Sequence, residues 1–284
     1  MTMAGARQAK KSRRILSGTM SVVLGLIFFV PLLFPLYWVV VASFQNLSTI
    51  YANAPALIPT HIYVKNYSVA FSSIIGNIGV SLVIAVSVVV LSWLVGVPAA
   101  HALARRGGRL ASLIVLVMLV TQMIPGISIS IALYTIFHRW GLLGTYIGLI
   151  LADAAAAVPF VIIVVRAFMV TLSPELFDAA SVDGAGPVRS FTSVGVPLAV
   201  PAIITAGLFA LLGAWNDFVN ALTLNDGSGP QPLTLGLYKF VTEYTSNDGA
   251  IFAAATLAAI PTTALLFAAQ RWVRSGLRAG ALKG

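Results

Sequence analysis

The stretch LFDAASVDGAGPVRSFTSVGVP, residues 176–197, is a polar island in a chain of 284 residues that is 59% hydrophobic and only 9% charged. So little charge cannot cover a water-soluble globule of this size, which places the chain in a membrane. Apolar runs flank the island on both sides, so it is a loop at a membrane face. Ser173-Pro174-Glu175 ahead of it is a compact helix start: serine caps free N–H groups, proline suits the first helical position, and glutamate favours the positive end of the dipole. The pattern predicts a short helix from Pro174 to Val182, ending at Asp183-Gly184, where glycine closes it in the left-handed conformation. Gly186-Pro187 opens a second short turn through Arg189-Ser190-Phe191. On the first helix Ala179 and Ala180 permit a close approach, and Leu176, Phe177 and Val182 are apolar anchors. Such a surface suits a protein groove or the lipid headgroups, and the residues alone leave both open.

Outward from the island, six apolar runs are each long enough to span a bilayer: about 16–44, 76–104, 110–137, 143–170, 196–223 and 250–272. The first contains Pro31 and Pro35, which a spanning helix absorbs as a kink or tilt. Lys10-Lys11-Ser12-Arg13-Arg14 before it imitates a signal peptide, with Val40-Val41-Ala42 as a cleavage-like site. The run is too long for a signal core and is expected to remain as the first helix. Of the 17 Lys and Arg, Lys65, Arg139 and Lys239 alone fall outside if the N-terminus is cytoplasmic. That asymmetry predicts cytoplasmic N- and C-termini around six spans, with the island cytoplasmic between the fourth and fifth. Polar external segments are expected at about 45–75 and 224–249.

The net charge of +9 reads as topology plus a basic flank for anionic lipid, and nucleic acid is not an expected partner. The lack of cysteine removes disulfides, thiol catalysis and thiolate metal sites. His61, His101 and His138 lie apart without ligand-like spacing, so no metal is expected. No Gly-x-x-x-x-Gly-Lys-Ser/Thr loop is present, so ATP is not expected to bind this chain by that route. Gly144 and Gly148 are spaced for close helix packing, but among 24 glycines the pair is assigned no role.

Asp178-Ala179-Ala180, three residues, Gly184, nine residues and Val194-Gly195-Val196-Pro197 resemble the EAA loop of ATP-binding-cassette importer permeases. There the pattern is Glu-Ala-Ala, three residues, Gly, nine residues, Ile, any residue, Leu, Pro. All spacings agree, with Asp178, Val194 and Val196 in place of glutamate, isoleucine and leucine. Further stretches resemble the maltose-type, MalG-like branch of carbohydrate permeases: Asn77 with Ser81, Ala100-His101-Ala102-Leu103-Ala104-Arg105, Met123-Ile124-Pro125, Gly141-Leu142-Leu143-Gly144-Thr145-Tyr146, Ala214-Trp215-Asn216-Asp217 and the tail from Gly276 to Gly284.

The resemblance implies an all-α integral membrane protein of the bacterial cell membrane that is not an enzyme, with six transmembrane helices. It implies a basic tail at 1–15, a permease domain at 16–275 with the coupling loop at about 171–196, and a C-terminal tail at 276–284. The implied partners are a second, MalF-like permease, two cytoplasmic ATPase subunits that bind ATP and Mg, and an extracytoplasmic sugar-binding protein or lipoprotein that delivers a carbohydrate. Glu175, Asp178, Ala179, Ala180, Asp183, Gly184, Phe191 and Pro197 are the ATPase-coupling residues it implies, seated in a cleft of the ATPase whose closure rocks the paired permeases. The tail from Gly276 either reaches the ATPase pair, as in maltose-type members, or lies on the membrane surface.

Ionisable residues within spans are costly and usually face a bundle interior. Asp153 falls near the middle of the fourth run, and Asn216-Asp217 in the outer part of the fifth. Sugars are recognised by acids, amides and aromatic faces, so Asp153, Trp215, Asn216, Asp217 and Gln122 are the expected lining of a translocation path. For Asn216 and Asp217 the competing role is helix capping or bonding between helices, while Asp153 is the better substrate contact. Two other classes compete: an ion-coupled secondary transporter with Asp153 as proton relay, and an intramembrane aspartyl protease pairing Asp153 with Asp217. An expected difference in depth between the two acids opposes the second.

Overall fold

The computed structural model describes residues 25, 27–52, 56–59, 61–243 and 247–281, with backbone alone for Leu265 and residues 268–281. The basic tail 1–15, the start of the expected first span and residues 282–284 lie outside the described residues. The elements are α1 (Ile27–Ser43), α2 (Leu47–Ile50), α3 (Lys65–Arg106), α4 (Gly108–Thr121), α5 (Gly126–Trp140), α6 (Tyr146–Met169), α7 (Pro174–Val182), α8 (Pro187–Ser190), α9 (Val196–Asn216), α10 (Val219–Thr223), α11 (Leu233–Glu243) and α12 (Asp248–Ala281). A π-turn, Phe191–Gly195, joins α8 to α9, and no strand occurs among the described residues.

Among the described residues, three helical stretches are long and apolar enough to cross a membrane: Lys65–Arg106, Tyr146–Met169 and Pro187–Asn216. The expected straight span at 110–137 is instead two helices, α4 and α5, bent by 95°. The break falls at Pro125, which has no N–H to give and disfavours helical geometry at Ile124 before it. Two shorter apolar helices, Ile27–Ser43 and Asp248–Ala264, complete the set. Two other expectations change. Helix α3 starts at Lys65, inside the segment read as polar and external, and the run at 196–223 stops at Asn216, where Asp217 turns extended before α10.

The described residues fall into two compact units, Met1–Phe71 with Tyr244–Thr256 and Ser72–Glu243 with Leu257–Gly284. In the first, buried Asn66 donates to the carbonyls of Ser43 at 3.0 Å and Gln45 at 2.8 Å, satisfying groups left free at the end of α1. Asn46 caps α2 by accepting from the Thr49 N–H at 2.9 Å. The second unit packs α6 against α9 through small residues, Ala154, Ala199, Ala206, Ala210 and Ala214, which let membrane helices approach closely. Gly207 receives the Trp93 indole, whose Nε1 donates to the Ile203 carbonyl at 3.1 Å. Leu94, Leu110 and Leu113 point outward, as apolar side chains do in lipid or against another membrane protein.

Candidate functional site

The loop after α6 forms as its residues dictate. Helix α7 covers Pro174–Val182, and Gly184 takes φ +80°. The Gly184 N–H donates to Ser181 O at 3.1 Å and the Ala185 N–H to Ala180 O at 2.9 Å, the paired closing bonds of a Schellman motif. The expected serine cap is not made: the Ser173 hydroxyl bonds no helix N–H, and its carbonyl instead accepts from Leu176 N at 3.3 Å. The second turn is not free-standing either, since α8 and the π-turn run straight into α9 as one helical stretch, Pro187–Asn216.

Of the α7 side chains only Phe177 is buried, at 3% exposed, against 88% for Val182 and 46% for Leu176. Glu175, Asp178, Ala179, Asp183, Gly184 and Pro197 are exposed, and Ala180 and Phe191 half-buried. Val188 on α8 adds another exposed apolar group, so the loop presents a mixed apolar and acidic surface anchored through one ring. Phe177 rests on the end of α3, with His101 5.7 Å away between ring centroids and the Arg105 guanidinium 4.2 Å above its ring.

A second feature is a cavity of about 320 Å³ lined by Gln122, Asp153, Phe160, Phe209, Asp217 and Asn220 among alanines and Gly213. Asp153 is 8% exposed, and its Oδ1 accepts from the Asn220 side-chain amide at 2.8 Å. Asn220 Oδ1 in turn accepts from the Ser130 hydroxyl at 2.6 Å. Asp217 caps α10, accepting from the N–H groups of Asn220 at 3.4 Å and Ala221 at 3.0 Å. Gln122, at the end of α4, donates to the Ala156 carbonyl at 2.9 Å and so ties the bend to α6. Phe160 and Phe209 face each other at 5.5 Å. Backbone broken at membrane depth is tolerated where it lines such a cavity.

Three expected lining residues, Gln122, Asp153 and Asp217, therefore meet in one cavity. The two acids come to line the same cavity because α9 ends at Asn216 and α10 folds Asn220 back onto Asp153. Trp215 and Asn216 sit elsewhere, in a groove of about 300 Å³ with Leu233, Thr234 and Thr262. Helical period accounts for Trp215, which lies on the side of α9 opposite Phe209 and Gly213; Asn216 shares their side of the helix and is turned away by its own hydrogen bond. Asn216 donates to its own helix, at Leu212 O, 2.8 Å. Asn220, Phe160 and Phe209 were missed in the sequence, although an amide three residues past Asp217 in an apolar run was a signal available there.

Other singled-out motifs acquire structural work. Asn77 donates to Gln231 O at 2.8 Å and Ser81 accepts from Leu233 N at 2.8 Å, holding the start of α11. Gly144 and Gly148 do carry a role: a Cβ at either would stand 2.2 Å from Asp226 Oδ1 or Leu142 O respectively.

Comparison with known proteins defines the class. Residues 92–279 match the family described as binding-protein-dependent transport system inner membrane component. The chain is 32% identical over 267 residues to the diacetylchitobiose uptake system permease protein of Streptomyces coelicolor, covering 92% of this chain and 96% of that one. It is 33% identical over 260 residues to the trehalose transport system permease protein of Mycobacterium tuberculosis, covering 89% and 93%. In fold it is similar to a bacterial transporter that imports the acidic polysaccharide alginate, with TM-score 0.77 at 23% identity over 92% of this chain and 97% of that one. The chain belongs to the family of binding-protein-dependent transport system inner membrane components. It is a membrane-embedded permease subunit of an ATP-binding-cassette importer, with no enzymatic reaction of its own.

Proposed function

We propose that this subunit carries a carbohydrate across the bacterial inner membrane and takes its driving force from separate ATPase subunits that engage the loop at about 171–196. The observation that carries the reading is α7, closed at Gly184 and exposed apart from buried Phe177 and half-buried Ala180, which offers Asp178, Ala179 and Val182 to a partner. The sugar permeases among its relatives support a carbohydrate cargo. In this arrangement α1, α3, the α4–α5 pair, α6, the α8–α9 stretch and α12 are the six spans, with both termini and α7 cytoplasmic as the charge asymmetry requires. Residues 16–275 form the permease domain between tails at 1–15 and 276–284. ATP and Mg belong to the two ATPase partners, a MalF-like permease completes the pathway, and an extracytoplasmic sugar-binding protein delivers cargo.

Asp153, Gln122 and Asn220 supply the polar groups of the path, and Phe160 and Phe209 the aromatic faces that suit a sugar ring. Asp217 contributes by fixing α10, while Trp215 and Asn216 serve packing and capping. The test is sugar uptake into proteoliposomes holding this chain with its genomically adjacent permease, ATPase and binding protein. Uptake that stops without ATP and ignores collapse of the proton gradient is the expected result. Uptake that persists without ATP and collapses with the gradient would reverse the reading in favour of an ion-coupled carrier.

A further inference from the structure

We propose that His101 is a positioning residue of the coupling step, the joint through which movement of α7 reaches α3. The proposal rests on the reading of α7 as the helix that engages the ATPase. Phe177 is the buried side chain of α7, so a load applied to that helix is transmitted through this ring. The ring is met by two residues one turn apart on α3: His101 at 5.7 Å, tilted by 46°, and Arg105 at 4.2 Å from the ring centre. The far side of the loop closes on the same imidazole. Phe191, in the π-turn that leads to α9, lies 5.0 Å from His101 with a tilt of 52°. At Gly195 a Cβ would stand 3.0 Å from His101 Nδ1 and 3.1 Å from its Cε1.

One ring on α3 thus meets the helix before the turn and both ends of the π-turn that leads into α9. Tilted aromatic pairs at these separations attract, and close-packed contacts shift between discrete arrangements instead of yielding smoothly. Displacement of α7 therefore reaches α3, to which the loop has no nearby covalent link, as well as α6 and α9, which it joins directly. His101 Nδ1 is buried without a hydrogen-bond partner among the described residues, so packing, and not a polar network at that nitrogen, keeps the ring in place. A flat ring without nitrogens should do the same work.

The experiment uses the reconstituted transporter with its partner permease, ATPases and binding protein. It reads the ATPase retained on purification, basal ATP hydrolysis, and hydrolysis stimulated by loaded binding protein. His101→Ala is expected to keep the first two and lower the third roughly two- to thirtyfold, the span of coupling effects at residues that touch neither ligand. His101→Phe restores stimulation. Gly195→Ala lowers it in the wild-type background and adds nothing to His101→Ala, because the space it needs is then free. Unchanged stimulation in His101→Ala, equal loss in His101→Phe, additive losses with Gly195→Ala, or detachment of the ATPase from His101→Ala each overturns the joint. Gly184→Arg separates the two ideas. If it responds normally to binding protein, the ATPase reading of α7 fails and the joint with it; if it loses stimulation while His101→Ala keeps it, the joint alone fails.

Discussion

Asn220 donates its side-chain amide to Asp153 at 2.8 Å across 67 residues of sequence, while its own backbone N–H turns toward Asp217 at 3.4 Å. A single residue thus sets the positions of two carboxyl groups in one cavity, and Ser130 fixes that residue from α5. The relationship explains why a short helix, α10, follows the break after α9: without it neither acid has its donor.

Removing the Asn220 amide leaves the buried Asp153 oxygen without its donor, a loss of about 1–3 kcal/mol. Asn220→Ala is expected to lower the melting temperature of the purified transporter, and Asn220→Asp, which puts a second buried carboxyl where the amide donor stood, to lower it as well. Asp153→Asn keeps an acceptor oxygen, so it is expected to melt near wild type and to change sugar uptake. Wild-type melting of Asn220→Ala would show that the hydrogen bond holds nothing.

Glycine is required at Gly229 more strictly than at Gly207. At Gly229 a Cβ would lie 2.1 Å from Gly144 O, which is backbone, whereas at Gly207 it would lie 2.4 Å from the Trp93 indole, a side chain that can shift. Overpacking costs about 1–3 kcal/mol, so both alanine variants melt lower and Gly229→Ala loses more. Thermal unfolding of the two variants in the reverse order would contradict the packing described.

Gly184 sits at φ +80° with open space where a Cβ would be, so backbone conformation restricts it and neighbours do not. Asparagine tolerates the left-handed region and a β-branched residue does not, a difference of about 1–2 kcal/mol. Gly184→Asn is expected to preserve binding-protein-stimulated ATP hydrolysis and Gly184→Val to reduce it. Equal rates for the two would separate the turn from coupling.

Tyr51, beyond the end of α2 and outside the membrane helices, donates its hydroxyl to Asp248 at the first residue of α12, and that hydrogen bond, followed by the carboxylate's charge, raises the tyrosine above its ordinary range. A raised folded value means the contact is fully present below the range of a free tyrosine and is lost as pH climbs through the Tyr51 value. Ultraviolet titration of wild type minus Tyr51→Phe is expected to show a tyrosine that ionises later than free tyrosine. A difference curve in the ordinary range would remove the contact.

Helix α7 was legible to the residue because start and stop signals are local: Pro174 at one end, Gly184 at the other. The 95° bend between α4 and α5 was not, since an apolar run reads alike whether straight or folded, although Pro125 marked the place. Asp153 was legible as a costly acid, but its meeting with Asp217 depends on a helix ending at Asn216, where Asn216, Asp217 and Asn220 read equally well as polar groups within an unbroken span. Trp215 was grouped with Asp217 by adjacency, although the helical period sets it opposite Phe209 and Gly213, and Asn216 is withdrawn by its bond to the Leu212 carbonyl, which no period announces. His101 gave no sign, because its meaning lies in rings 76 and 90 positions away, Phe177 and Phe191.

The central claim is that the exposed face of α7 is where the ATPase pushes. The chain has no cysteine, so Val182→Cys, at a position 88% exposed, gives it a single thiol for a photo-activated crosslinker in the assembled transporter. The account predicts a covalent adduct with the ATPase subunit from Val182→Cys and none from Val120→Cys, which points outward from α4. Adducts with lipid alone from Val182→Cys, in a transporter that still hydrolyses ATP on addition of loaded binding protein, would contradict it.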